Sequence, residues 1–208
     1  VATYGHSTGE GPPKTADDPQ VATDVYSATK IEAERAVRES GLSWVVFRLS
    51  AAPAVDYVWL SQSRGAEMFQ VPLSQRIEFV HPRDIGLAIT NAVTAENVEG
   101  KILLIAGGER CRMTYREFVS KTFEVMGIGM LPDEAFIVPR RKEDYYHTDF
   151  MDTTESQALL QYQTRTFEDY LQDLRRSLGW RRWVLPLVGW YVRRSLLRTS
   201  PYYRPDSR

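Results

Sequence analysis

Short apolar runs alternate with amphipathic segments along most of the chain. Ser43–Leu49 (SWVVFRL) and Lys101–Ala106 (KILLIA) are largely apolar, as buried strands are, and Gly107-Gly108 stops the second. Arg76–Val80 reads as a further short strand. Between them, Tyr26–Ser40 carries Ala28, Ile31, Ala33, Ala36 and Val37 at helical spacing, with Gly41 as a natural C-cap. Pro82 suits the first position of a helix reaching about Thr94. Thr114, with Glu117 in capping-box position, opens a helix through Met126, and Gly127 ends it. Asp152 or Thr153 caps a helix to about Leu160; Thr166 caps one to about Leu178, before Gly179. This strand–helix alternation predicts βα units, hence an α/β fold with a parallel sheet. Val1–Gly5 reads as the end of a strand entering a turn. Residues 5–24, rich in Gly, Pro, Asp and Thr, read as a long surface loop.

Composition is that of an ordinary globular chain, which excludes a disordered or disulfide-built protein. Charge alters the picture only when followed along the chain. The net charge is −1. Residues 1–174 hold 17 basic and 26 acidic residues, whereas residues 175–208 hold 9 basic and 1 acidic. Cys111 is the only cysteine, so no intrachain disulfide forms, and a reducing, cytoplasmic setting is expected. With no histidine near it in sequence, Cys111 reads as a structural residue. His6, His81 and His147 lack metal-ligand spacing, and no metal is expected.

The basic tail, residues 180–208, holds three of the five tryptophans, Trp180, Trp183 and Trp190, interleaved with arginines. Pro186 and Gly189 are expected to break any long helix there. Three readings remain open: docking on the acidic body or a homodimer contact, a peripheral membrane contact, and, least favoured, nucleic acid. The acidic body and the lack of a binding motif argue against nucleic acid.

Tyr26-Ser-Ala-Thr-Lys30 carries the sharpest chemistry. Residues four apart share one face of a helix. A free tyrosine has a pKa of about 10. An ammonium beside a phenol favours the phenolate, so a Tyr–Lys pair can move a proton near neutrality. Alone, this spacing equally describes an exposed Tyr over a Lys stem.

Its context narrows the choice. Tyr4-Gly5, the loop, YSATK, Glu34, Gly41-Leu42, a buried strand, Arg48, then Phe79-Val80-His81 and Asp84 follow in order. Met151-Asp152-Thr153 and Leu159-Leu160-Gln161-Tyr162 come later. This order resembles the extended short-chain dehydrogenase/reductase family, the NAD-dependent epimerases and dehydratases, from Val1 to about Leu178. The resemblance implies the C-terminal part of a Rossmann-like parallel sheet with a small, mostly helical substrate-binding portion and the basic aromatic tail. The corresponding divisions are 1–110, a partial NAD(P)-binding core with the catalytic helix; 111–179, the substrate-binding portion; and 180–208, the tail.

The resemblance further implies NAD or NADP as cofactor, Tyr26 as acid/base, and Lys30 as its partner and a ligand of the nicotinamide ribose. Ser50, Ala51, Ala52 and Pro53 would lie by the nicotinamide. The family's Ser/Thr position falls just before Val1, which leaves Thr3 as the nearest substitute. The family's Gly-rich phosphate turn has no counterpart here: Gly9-x-Gly11 and Gly107-Gly108 do not join a strand to a helix. The chain thus reads as the later part of a larger enzyme, inactive as an isolated piece. Arg64, Arg76 and Arg83 are the candidate substrate contacts. Two departures weaken a sugar-nucleotide substrate and favour other hydroxyl or ketone compounds. Ile77 stands where the family carries a diphosphate-binding Arg, and Leu-Ser-Ala-Ala-Pro follows Arg48 in place of Tyr-Gly-Pro. The alternative function is a non-catalytic dinucleotide-binding protein, with a membrane contact through its tail.

Overall fold

The structure, a computed structural model, describes residues 2–54 and 66–204. Helix α1 spans Val25–Arg38, strand β1 Val45–Leu49, β2 Arg76–Glu78, α2 Pro82–Ala92 and β3 Lys101–Ile105. Strand β4 spans Arg112–Thr114 and α3 Tyr115–Val125; α4 Thr154–Leu160, α5 Phe167–Leu178 and α6 Arg181–Thr199 follow.

Strands β1 and β3 pair in parallel, Val45 opposite Lys101 through Leu49 opposite Ile105. Strands β2 and β4 pair antiparallel. A single parallel bridge between Ala51 and Phe79 joins the two ladders just past the carboxyl end of β1. The architecture is α/β, with the parallel pair that the strand–helix alternation predicts.

Beside a small apolar cluster of Tyr4, Leu104, Ala106 and Met151, two larger ones flank this frame. One packs Phe69, Phe79, Phe118, Phe123, Phe136, Phe167, Tyr170 and Leu174 between β2, α3 and α5. The other gathers Val80, Ala88, Leu103, Ile105, Leu160 and Tyr162 between β3, α2 and α4. Full burial of one such side chain contributes about 1.5–3 kcal/mol. Tyr162 also satisfies its hydroxyl, donating to the Ala106 carbonyl at 2.9 Å and accepting from the Ala106 amide at 3.0 Å.

Caps fix the helix starts. Thr114 and Glu117 form the expected capping box of α3, and Thr166 with Asp169 forms one for α5. For α4 the Asp152 carboxylate accepts from the Thr154 amide at 3.0 Å, while the Thr153 side chain makes no cap bond.

Three sequence expectations need correction. Ala2–Tyr4 forms a buried 3-10 turn, not a strand end; its carbonyls turn to the loop, where Val21 donates to Thr3 at 2.8 Å. In α1, Ala33, Ala36 and Val37 are exposed, and the fully packed residues are Ser27 and Glu34. Glu34 is buried because its carboxylate is bound, as described below. Finally, α6 runs 19 residues straight through Pro186 and Gly189. An interior proline costs about 3 kcal/mol or more. Close backbone packing offsets it: a Cβ on Gly189 would lie 2.4 Å from the Gly127 carbonyl oxygen, and one on Gly127 2.9 Å from Pro186 Cγ. Ser200 then fixes the end of α6 by donating to the Ala135 carbonyl at 2.6 Å.

Cys111 is fully buried, and burial pushes its thiol up to about 11. This is the environment of a packing residue, as its sequence setting suggests.

Candidate active site

The entry to α1 is tied down by side chains. Asp24 caps the helix: its carboxylate accepts from the Ser27 amide at 2.6 Å, and that bond holds its pKa below the usual carboxylate range. The Ser27 hydroxyl returns the bond, accepting from the Thr23 and Asp24 amides at 2.9 and 3.0 Å. Tyr26 therefore emerges at a fixed point in the first turn. It is 60% exposed, and the Lys30 ammonium lies 5.5 Å from its ring centroid. The predicted pair thus shares one face and opens to solvent.

A buried network holds α1 against the sheet. Arg48 on β1 donates to both oxygens of Glu34, Nε at 3.0 Å and one Nη at 2.8 Å. Its other Nη donates to the Tyr4 hydroxyl at 2.6 Å and to the Ala16 carbonyl at 3.0 Å. The Tyr4 hydroxyl donates onward to Thr15 at 2.8 Å, and burial raises its pKa, so it stays a protonated donor. Three residues that carry the sequence resemblance, Tyr4, Glu34 and Arg48, thus act by positioning the Tyr26 helix.

Tyr26 and Asp24 line a cleft of about 790 Å³. Its other wall is the segment Glu143–His147 with Ile137, and His6, Glu67, Gln70 and Tyr202 complete it. Gln75 holds that wall in place: its amide nitrogen donates to Ser7 and Thr148 carbonyls, and its oxygen accepts from the Tyr146 amide. Four carboxylates line the cleft, at Asp24, Glu67, Glu143 and Asp144, and no Lys or Arg is among its described lining residues. Sequence reading missed this wall, because segment 137–147 has no apolar period and nothing in it marks a site.

His147 sits in the cleft wall with its ring 3.9 Å from that of Tyr146. Burial holds its pKa down, to about 4. The neutral form is therefore favoured on folding. The resulting stability is full above the unfolded pKa of about 6.5. It is lost as pH falls through about 4. Urea unfolding is expected to lose about 1–3 kcal/mol across that window, and His147→Gln to flatten the loss. An unchanged pH profile in the variant would refute the assignment.

The other sequence candidates lie elsewhere. Ser50 follows β1, with its amide on the Ile105 carbonyl at 2.9 Å and its hydroxyl buried without a hydrogen-bond partner among the described residues. Ala51, Ala52 and Pro53 continue from it at the carboxyl end of the parallel pair, where α/β sheets take their ligands. Thr3 is buried, its hydroxyl likewise unpartnered, and does not line the cleft. Arg76 donates to the Gly11 carbonyl at 3.0 Å and packs over Phe150. Arg83 lies 3.4 Å from Asp173. Neither arginine reaches the Tyr26 cleft, and Arg64 lies outside the described residues.

No protein-family model matches the sequence, and no curated protein matches it. Solved structures do match. UDP-glucuronic acid 4-epimerase from Bacillus cereus, in complex with NAD, superposes with a TM-score of 0.63 at 17% identity, over 85% of this chain and 57% of its own. The fold is that of the NAD-dependent epimerases and dehydratases. The dTDP-glucose 4,6-dehydratase of Bacillus anthracis, also with NAD, gives 0.63 at 16% identity, over 86% of this chain and 60% of its own. A short-chain dehydrogenase/reductase superfamily protein from Agrobacterium tumefaciens with bound NAD gives 0.64 at 17% identity, over 92% and 67%. The chain therefore spans about three fifths of the length of the first of these enzymes.

In that fold the two buried groups of the FVHPRD segment also find roles. His81 caps α2, accepting from the Arg83 amide at 3.2 Å. The buried Asp84 accepts from the Thr164 and Arg165 amides at 3.0 and 2.8 Å, tying α2 to the start of α5.

Proposed function

We propose that this chain carries the acid/base helix and substrate side of an NAD(P)-dependent oxidoreductase or epimerase. The observation that carries this reading is the exposed Tyr26–Lys30 pair on α1, with Tyr26 lining a cleft, in a fold whose solved examples hold NAD. The nicotinamide end of the cofactor fits the residues present. Ser50 offers a buried hydroxyl with no partner among the described residues, at the carboxyl end of β1, and Lys30 offers an exposed ammonium beside Tyr26. When bound, the cofactor supplies hydride transfer; the chain supplies position and the proton. Tyr26 takes the proton from a substrate hydroxyl, or returns it to the carbonyl.

The cleft also bears on the substrate. The Bacillus cereus enzyme is solved with UDP-glucuronic acid, and another structural neighbour with UDP-glucose. Here four carboxylates line the cleft, Asp144 among them paired with Arg141 at 3.1 Å, and these oxygens suit substrate hydroxyls as hydrogen-bond donors. We therefore place an uncharged hydroxyl-bearing part of the substrate in this cleft.

The test is a turnover assay on the protein together with any sequence that precedes Val1. NAD or NADP is supplied with a panel of UDP-sugars and uncharged secondary alcohols, and both nicotinamide reduction and epimer formation are followed. Turnover of at least one compound is expected. Saturable cofactor binding without turnover of any would instead support the non-catalytic reading.

A further inference from the structure

Helix α6 docks by one side and offers a different surface on the other. Val192, Leu196 and Leu197 pack against the α3–α5 core, Gly189 rests on the Gly127 backbone, and Arg193 donates to the Met130 carbonyl. On the opposite side, Trp180, Trp183, Leu187, Trp190 and Tyr191 recur at intervals of three and four, which aligns them in one stripe. All five are between 63% and 74% exposed. Rigid packing on the inner side thus presents three tryptophans, a leucine and a tyrosine to solvent over about 16 Å of helix.

We infer that this stripe is a docking surface for an anionic lipid bilayer, with the indoles and Leu187 seated at the headgroup layer. Charge selects that occupant. Arg181, Arg182, Arg194 and Arg198 are exposed around the stripe, and residues 175–204 contain no carboxylate side chain. Arg182 stacks over Trp183 at 4.9 Å and Arg181 over Trp180 at 5.6 Å, so guanidinium and indole sit at one depth. Trp and Tyr prefer the membrane–water interface, and anionic headgroups supply the counter-charge to arginine. A second copy of the chain fits less well, because pairing two stripes sets arginine against arginine, and protein interfaces exclude charge from their centres. The acidic excess of residues 1–174 is repelled by the same bilayer, which orients the molecule with α6 towards the lipid. No helix among the described residues is long and apolar enough to cross a membrane, so the contact is with the surface. This inference stands apart from the reading of the Tyr26 cleft.

The test is co-sedimentation of the full chain with vesicles of phosphatidylcholine alone, and of phosphatidylcholine mixed equally with phosphatidylglycerol. The chain is expected to sediment with the mixed vesicles only, and less so as salt is raised. The triple variant Trp183→Ser/Leu187→Ser/Trp190→Ser is expected to bind them at least about tenfold more weakly. Arg182→Glu/Arg194→Glu is expected to lose a similar factor. All these side chains are exposed, so a thermal melt matching that of the parent chain confirms that each variant folds. Equal sedimentation of parent and triple variant would overturn the inference, as would no sedimentation of the parent. Velocity sedimentation covers the remaining case. A dimeric parent and a monomeric triple variant, neither binding vesicles, would make the stripe a contact between copies and also overturn it.

Discussion

Replacing Tyr26 by Phe is expected to lower turnover by about 10²–10⁴-fold, the range that positioned acid/base groups contribute, with little change in cofactor affinity. The variant removes only the hydroxyl. Tyr26 is 60% exposed, and none of the hydrogen bonds that hold α1 uses its hydroxyl, so the helix has no reason to move. A Lys30→Met companion should reduce turnover as well, but should also weaken NAD(P) binding if the ammonium reaches the ribose. Full turnover in the Tyr26 variant, measured by nicotinamide absorbance at saturating substrate, would remove Tyr26 from the chemistry and leave the cleft as a binding site.

The second large effect is on stability. Arg48→Met should cost about 3–5 kcal/mol, because breaking one partner of a buried ion pair strands the other. The side chains of Arg48 and Glu34 are 6% and 7% exposed, so neither charge can turn to water. The variant also leaves the Ala16 carbonyl without its Arg48 donor. Glu34→Leu should cost a comparable amount. The double variant should cost much less than the sum, since both charges are then gone. Urea unfolding of the four species completes the cycle. Additive losses, with no coupling between the two sites, would show that the pair does not hold α1 to β1.

These two predictions divide the candidate site into what the sequence revealed and what it hid. Tyr26 and Lys30 could be read directly, because a helix fixes the relation of residues four apart. Arg48 and Glu34 could be read as markers but not as a pair. They are 14 residues apart, and only the return of β1 beneath α1 joins them. The caps at Thr114 and Thr166 are local and were legible for the same reason as the Tyr–Lys spacing. The packed side of α1 was not, because an apolar count expects Ala33, Ala36 and Val37 inside. The fold instead buries Ser27 and the Arg48-bound Glu34 there. The cleft wall at residues 143–147 depends on Gln75, some 70 residues away in sequence, and no periodicity encodes such a contact. Pro186 misled for a related reason: helix-breaking tendency is local, whereas the compensating contact with Gly127 is tertiary.

Tyr202 lies three residues beyond the end of α6 and is part of the cleft wall. The basic tail therefore contributes a side chain to the cleft that Tyr26 lines. Any displacement of the tail would remove part of that wall, so a compound that touches Tyr202 would then bind less tightly. By reciprocity, that compound holds the tail down by the same factor that the tail adds to its affinity.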